Sequence, residues 1–492
     1  MSNNILNQEH RNFLQTVNQA AFNNPFSPET VNTKLQIAES RGMIDDDTLN
    51  SRVLHHLQSR LQQIEHTPAH RNNRFDDREQ RLLENAQLYC IYLRYQQKFD
   101  AFIEDQIKSG DEPIVLPFAQ DLLAAIKQLG FDQEETNKYL CLFYQTRRAY
   151  RFIGQAIMGK SPCMQTLRKH LWNNLFTFDS HWYLSYFCEH MEEFSTLLLG
   201  DTGTGKSRIA QAIGHSNYIP FDIKKQRYAE SFTRSFQSIN LSQFPSSLLE
   251  AELFGHKKGA FTGAIENRPG LFARCSMHGA VFIDEVGEID QTIQVKLLTV
   301  LQDRVFSAVG SSSEQRFEGR VIAATNRNLK KLVDEGKFRE DFYYRLCSDL
   351  IRIPTLCQRL NEQADELHLL ITNILERTIG TSDENLIDTV ETRLQKKIPH
   401  GYNWPGNVRE LEQCVRSICL TGSYTPLLKQ NKDLTNNLNL PNKPMTAQQL
   451  MQLYCHTLYQ QNGSYEKVAR ITELDRRTAK KYIQGYSESE LL

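Results

Sequence analysis

Residues 200–207 read GDTGTGKS, a G-x-x-x-x-G-K-S pattern with an apolar run, STLLL, before it and a helical run, RIAQAI, after it. The backbone N–H groups of such a loop converge on phosphate oxygens, and the N-terminus of the following helix adds partial positive charge. On this reading Gly200, Asp201, Thr202, Gly203, Thr204 and Gly205 cradle the phosphates of a nucleotide. Lys206 reaches the β- and γ-phosphates, and the Ser207 hydroxyl ligates Mg²⁺. The plain alternative, a glycine turn before a helix, does not account for the flanking strand and helix together.

Hydrolysis at such a loop needs carboxylates on a neighbouring strand, and GAVFIDEVGEID supplies them. Val281–Ile283 reads as a buried strand that ends in Asp284 and Glu285. Asp284 suits Mg²⁺, directly or through water, and Glu285 suits the orientation and deprotonation of an attacking water. A further strand, RVIAATN, ends in Thr325 and Asn326, polar groups where a γ-phosphate sensor would stand. In GKFREDFYYRL, Arg339 and Arg345 follow the sheet pattern. They read either as solvated surface charges or as arginines supplied to a neighbouring subunit's phosphate site.

A different chemistry is written into GHKKGAFTGA, residues 255–264, where Gly255, Gly259 and Gly263 recur at four-residue spacing around the single aromatic Phe261. Glycines free the backbone for turns, so this is a loop that presents a Phe and a Thr. The competing reading buries Phe261 in its own subunit.

These residues need a scaffold, and the chain is long enough to provide several. It has 492 residues, 40% hydrophobic and 23% charged, with a formal net charge of -1. That balance predicts folded domains and excludes a generally basic nucleic-acid coat. The ten cysteines show no metal-ligand spacing and read as reduced thiols. The first residues, MSNNILNQEH, lack a secretory pattern, and no run approaches about 18 apolar residues. The expectation is a cytoplasmic protein with no membrane span. Residues 1–155 repeat apolar positions at three- and four-residue steps and predict a helical module. Residues 156–354 alternate strands, glycine loops and helices, the pattern of a parallel α/β sheet. Residues 355–425 become helical again, 426–445 read as a linker, and 446–492 as three short helices.

Taken together, the stretches GDTGTGKS, LLEAELFGHKKGAFTGA, GAVFIDEVGEID, RVIAATN, FREDFYYRL and WPGNVRELE resemble bacterial sigma-54-dependent transcriptional activators, the enhancer-binding proteins of the AAA+ ATPase superfamily. The resemblance covers about half the chain, residues 157–425. It implies a multidomain fold: a helical N-terminal module, an α/β P-loop ATPase domain with a parallel sheet and a helical lid, and a C-terminal helix-turn-helix. It implies ATP and Mg²⁺ as cofactors and a homo-oligomeric, hexameric ring. Gly259, Ala260, Phe261, Thr262, Gly263 and Ala264 would form the loop that engages sigma-54 RNA polymerase holoenzyme. Asn240 matches the Asn that restrains the catalytic Glu285, Arg339 and Arg345 match the trans-acting pair, and Arg409 matches the lid's second sensor. Ser207 departs from the usual Glu at its position, and LCQRL (356–360) replaces the usual Arg-Glu-Arg segment. Extra residues near 171–193 and 214–235 read as surface insertions that contact the N-terminal module.

At the C-terminus the NG turn at 462–463 and TELD separate helices at helix-turn-helix spacing. In the last one Arg476, Arg477, Lys480 and Lys481, with Thr478 among them, face one acid, Asp475. The spacing resembles the Fis-like domain that ends many family members, and implies contacts to upstream enhancer DNA. Residues 1–155 carry no receiver-like strand ending in an Asp, so the module reads as regulatory with an unnamed signal. Two other functions compete with ATP-driven activation: a DNA-binding repressor or scaffold that uses ATP only for assembly, and an AAA+ chaperone.

Overall fold

Alternation along the strands explains why one sheet can be buried on both faces. In the computed structural model, Leu197, Val281, Ile283, Val321 and Ala323 point into one apolar cluster, while Leu198, Ala280, Phe282, Ile322, Ala324 and Ile351 point into another. We number the five strands of this sheet β1 (Thr196–Leu199), β2 (Phe236–Asn240), β3 (Ala280–Asp284), β4 (Arg320–Thr325) and β5 (Asp349–Arg352). Their spatial order is β5-β1-β4-β3-β2 and every pairing is parallel. Register places Asn240 beside Asp284 and Leu199 beside Thr325. The polar ends of β2, β3 and β4 therefore meet the loop that leaves β1, where parallel sheets bind ligands.

The structure describes residues 6–40, 42, 44–67, 75–399, 401–424 and 446–485. The expected linker at 426–445, with residues 425 and 486–492, lies outside them. Residues through Tyr424 form one compact unit and those from Thr425 a second. No helix of the described residues is long and apolar enough to cross a membrane.

In the first unit, helices Gln8–Phe22, Pro28–Ile37, Asp46–Glu65, Asp77–Ser109, Ala119–Lys127 and Gln133–Ala156 build the expected helical module. This module does not stop at a boundary near 155. Ile219, Phe221, Tyr228 and Phe232 share one buried cluster with Phe99, Phe102, Leu140 and Tyr144. On the sheet side, Ala149 and Ile153 share another with Trp172, Phe176, Tyr183 and Leu198. The segments near 171–193 and 214–235 do contact the module, but as core rather than as surface insertions. Arg148 is fully buried; it donates to the His215 carbonyl at 2.6 Å and the Asn217 carbonyl at 2.8 Å, and lies over the Tyr144 ring. His215 caps the C-terminus of helix Lys206–Gly214, so a module cation sits against the negative end of the phosphate-loop helix.

The lid comprises helices Leu356–Glu362, Glu366–Ile379, Glu384–Lys397 and Asn407–Thr421 around Ile371, Ile387, Trp404, Leu411 and Val415. In the second unit, helices Ala447–Asn462, Tyr465–Thr472 and Arg476–Gln484 close on Cys455, Leu458, Val468, Ala479 and Ile483.

Candidate functional site

Helix Lys206–Gly214 starts directly after the glycine loop, which aims its free N–H groups back at the carboxyl ends of the strands. Gly203 has φ +82°, and a Cβ there would lie 2.2 Å from the Gly406 carbonyl oxygen. A side chain at 203 is therefore excluded by the lid as well as by the turn. The lid is stitched to the loop by Val408 N–H to Gly203 O (3.1 Å) and Asn407 Nδ2 to Thr202 O (3.1 Å). Within the loop, the Thr204 hydroxyl donates to Asp201 O at 2.8 Å and Lys206 Nζ to Gly200 O at 2.9 Å.

A cleft of about 340 Å³ brings together Thr202, Gly203, Thr204, Gly205, Lys206 and Ser207 with Asn240, Asp284, Glu285 and Arg409. Its deeper wall is apolar, with Ile157, Met158, Met164, Leu370 and Ile374. Burial lowers the Lys206 ammonium, opposed by the charges of Glu285 and Asp284. Glu285 is the sharpest feature. Its backbone is left-handed at φ +57°, and its Oε2 is buried without a hydrogen-bond partner. Burial raises its pKa, Lys206 opposes that, and Asp284 adds to it. Asp284 Oδ1 accepts the Glu285 N–H at 3.0 Å.

Other expected site residues divide. Asn240 lines the cleft, but its Oδ1 accepts from Ser242 N at 3.0 Å and from the Ser242 hydroxyl at 2.7 Å, rather than restraining Glu285. Asn326 reaches the loop through Nδ2 to Thr202 Oγ1 at 3.2 Å. Thr325 is fully buried, and its hydroxyl accepts the Arg327 N–H at 3.1 Å, so of that pair only Asn326 faces the phosphate loop. Arg339 pairs with Asp341 at 2.6 Å and Arg345 with Glu193 at 3.2 Å, both outside the cleft of their own chain.

One contributor escaped the sequence reading. Arg359, in the altered LCQRL segment, forms a buried ion pair with Glu366 at 2.8 Å. Glu366 also accepts the Lys160 N–H at 3.0 Å and the Ser161 N–H at 2.9 Å, fixing the cleft's entry segment to the lid. The ion pair is local, but the backbone contacts of Glu366 reach some two hundred positions back along the chain and leave no pattern to read.

The loop of GHKKGAFTGA stands on a short antiparallel pair, Gly255–His256 with Arg268–Pro269. Gly259 N–H closes it on Ala264 O at 2.8 Å, with Gly259 at φ +81° and Gly263 at φ +103°. Ala260 is half-buried, and Thr262 and Gly263 are exposed. Phe261 is instead half-buried, edge-on to His256 at 5.0 Å, and Ala264 is buried. Ile265, which the sequence reading passed over, is 81% exposed.

In the second unit, Asp475 caps the last helix by accepting from Arg477 N (2.8 Å) and Thr478 N (3.0 Å). The Thr478 hydroxyl turns back onto the same carboxylate, so Thr478 serves the cap rather than an outward contact. Arg476 pairs with Glu466 of the preceding helix at 3.1 Å, and Lys480 lies over the Tyr465 ring at 5.8 Å. Arg477 and Lys481 are exposed.

Residues 188–352 match the family profile of the Sigma-54 interaction domain. The chain is 41% identical over 221 residues to the Nif-specific regulatory protein of Azotobacter vinelandii, covering 45% of this chain and 38% of that protein. It is 31% identical over 310 residues to the regulatory protein AtoC of Escherichia coli K12, covering 60% and 63% respectively. The chain thus spans only part of the length of the curated relatives it matches. Among solved structures, NtrX from Brucella abortus in complex with ATP gives a TM-score of 0.40 at 18% identity, covering 74% of this chain and 78% of that one.

Proposed function

We propose that this chain, whose residues 188–352 match the Sigma-54 interaction domain, is an AAA+ ATPase and an ATP-driven transcriptional activator of sigma-54 RNA polymerase. In this reading it is a cytoplasmic protein that binds upstream enhancer DNA through residues 446–492, assembles into a hexameric ring and uses ATP hydrolysis to remodel the holoenzyme. The observation that carries the reading is the pairing of two separate features on one domain. One is a cleft that joins a phosphate loop to Asp284 and Glu285; the other is a glycine-hinged loop with Thr262 exposed at its tip.

The loop N–H groups and Lys206 hold the triphosphate, and Asn326 stands beside Thr202 to sense its end. The donor set of one carboxylate, Asp284, and one hydroxyl, Ser207, fits Mg²⁺, which retains several waters. Mg²⁺ neutralises charge on the phosphate oxygens when bound. The Glu285 carboxylate accepts the proton of the attacking water. Arg339 and Arg345, directed away from their own cleft, stabilise charge in the next subunit's site. Arg409 reports the nucleotide to the lid.

The test separates hydrolysis from its use. Thr262→Ala should hydrolyse ATP at the wild-type rate, melt at the wild-type temperature and fail to activate a sigma-54 promoter in a reconstituted transcription assay. Wild-type transcription by this variant would remove the loop from the mechanism. A wild-type protein that binds DNA and ATP but turns over no nucleotide would favour the repressor or scaffold.

A further inference from the structure

Both arginines outside the cleft are mounted on one helix, Gln291–Asp303, which follows the Asp284–Glu285 turn. The fully buried Gln294 donates through Nε2 to Ile289 O (3.1 Å) and Lys337 O (3.0 Å), and its Oε1 accepts the Arg339 N–H at 2.8 Å. At the other end of the helix, Arg345 Nε donates to Leu301 O at 2.8 Å. A cation on carbonyls of a last helical turn is favourably placed, but one bond through Nε leaves the guanidinium free to swing. The second restraint comes from a distant part of the chain. Glu193 Oε2 accepts from Arg345 NH2 at 3.2 Å, while its Oε1 lies 3.3 Å from Nε of Arg304. Arg304 is itself buried and anchored to Gly319 O at 3.1 Å. Glu193 is therefore held on one side by a fixed arginine and holds a half-exposed one on the other.

We infer that Glu193 is a positioning residue for Arg345, setting the direction in which its guanidinium leaves the subunit toward a neighbour's γ-phosphate. The inference rests on the proposed reading that Arg345 acts in trans. Two anchors on a planar fork fix its orientation, whereas one does not. Glu193 and Arg345 side chains both keep 35% or more of their exposure, but the carboxylate also pairs with the buried Arg304, so its removal is read together with the melting temperature.

Mixing experiments read this from the donor side alone. A Lys206→Ala chain has a defective phosphate loop but an intact Arg345; an Arg345→Ala chain has the reverse. Restored hydrolysis in the mixture reports Arg345 given by the first chain to the second chain's cleft. Glu193→Gln added to the Lys206→Ala chain should cut the restored kcat, by up to about 10²-fold for a misplacement of roughly 1 Å. KM for ATP should not move, because the cleft that binds it is untouched, and Glu193→Asp should recover part of the loss. Equal restoration with and without the carboxylate overturns the inference. So does a loss that tracks a lower melting temperature or weaker self-association of the Glu193→Gln chain, since the residue would then be structural. Absence of restoration by the unmodified pair overturns the trans reading beneath it, and this inference with it.

Discussion

Glu285 joins a left-handed backbone, a raised pKa and a lone carboxylate oxygen in one residue, and such strain is retained where the surroundings over-determine it. Glu285→Gln should bind ATP with near wild-type affinity and lose hydrolysis by at least about 10²-fold, measured by nucleotide binding and phosphate release on the same preparation. Its place at a strand end beside the glycine loop was legible in the sequence, because an apolar run ending in Asp-Glu marks where a buried strand emerges. Thr325 was not separable from Asn326 there; adjacent strand residues face opposite ways, and only register decides which one meets the loop. His215 supplies a pH prediction. Burial and the nearby Arg148 push its pKa down to about 4, whereas an unfolded His titrates near 6.5. The unfolded chain thus takes up a proton that the folded chain refuses. This contribution to stability is complete above about pH 6.5 and is lost as the pH falls toward 4, reaching about 2 kcal/mol at pH 5. Denaturant unfolding at pH 7 and pH 5 should show a smaller acid loss for His215→Phe than for wild type, by about that amount; equal losses would mean that His215 titrates normally.

At the scale of elements, the phosphate-loop helix, the strands and the lid were readable because each carries its own periodicity and glycine constraints. Contacts that set element against element were not. Gln294 to Arg339, Glu193 to Arg345 and Lys160 to Glu366 join positions whose separations obey no period. For the last helix of the chain, sequence gave a cluster of cations but not their division of labour. Glu466 engages Arg476, and Thr478 completes the cap, which leaves Arg477 as the cleaner phosphate contact. Arg477→Ala should weaken DNA binding across sequences and reduce the slope of log K against log salt by about one unit. ATPase activity should stay unchanged; a slope equal to wild type would exclude Arg477 from the interface.

Over the whole molecule, the expected helical module proved to be built into the central α/β region, with Tyr228 and Phe232 of that region buried among its aromatics. Removal of residues 1–155 should therefore not release an independent ATPase. The truncated chain should melt at a lower temperature and aggregate, by exposure of Ile219, Phe221, Tyr228 and Phe232, whereas a cleanly separable module would leave the remainder as stable as before. The buried Arg148 gives this union a thermodynamic consequence. It ties one module helix to the C-terminus of the helix that begins at the glycine loop, a contact through which the module and the proposed nucleotide site could be coupled. Linkage is reciprocal: any effector whose binding to the module moves that contact, and so alters affinity for ATP by some factor, must have its own affinity altered by ATP by the same factor. The strength with which the module holds such an effector would then depend on whether ATP occupies the cleft.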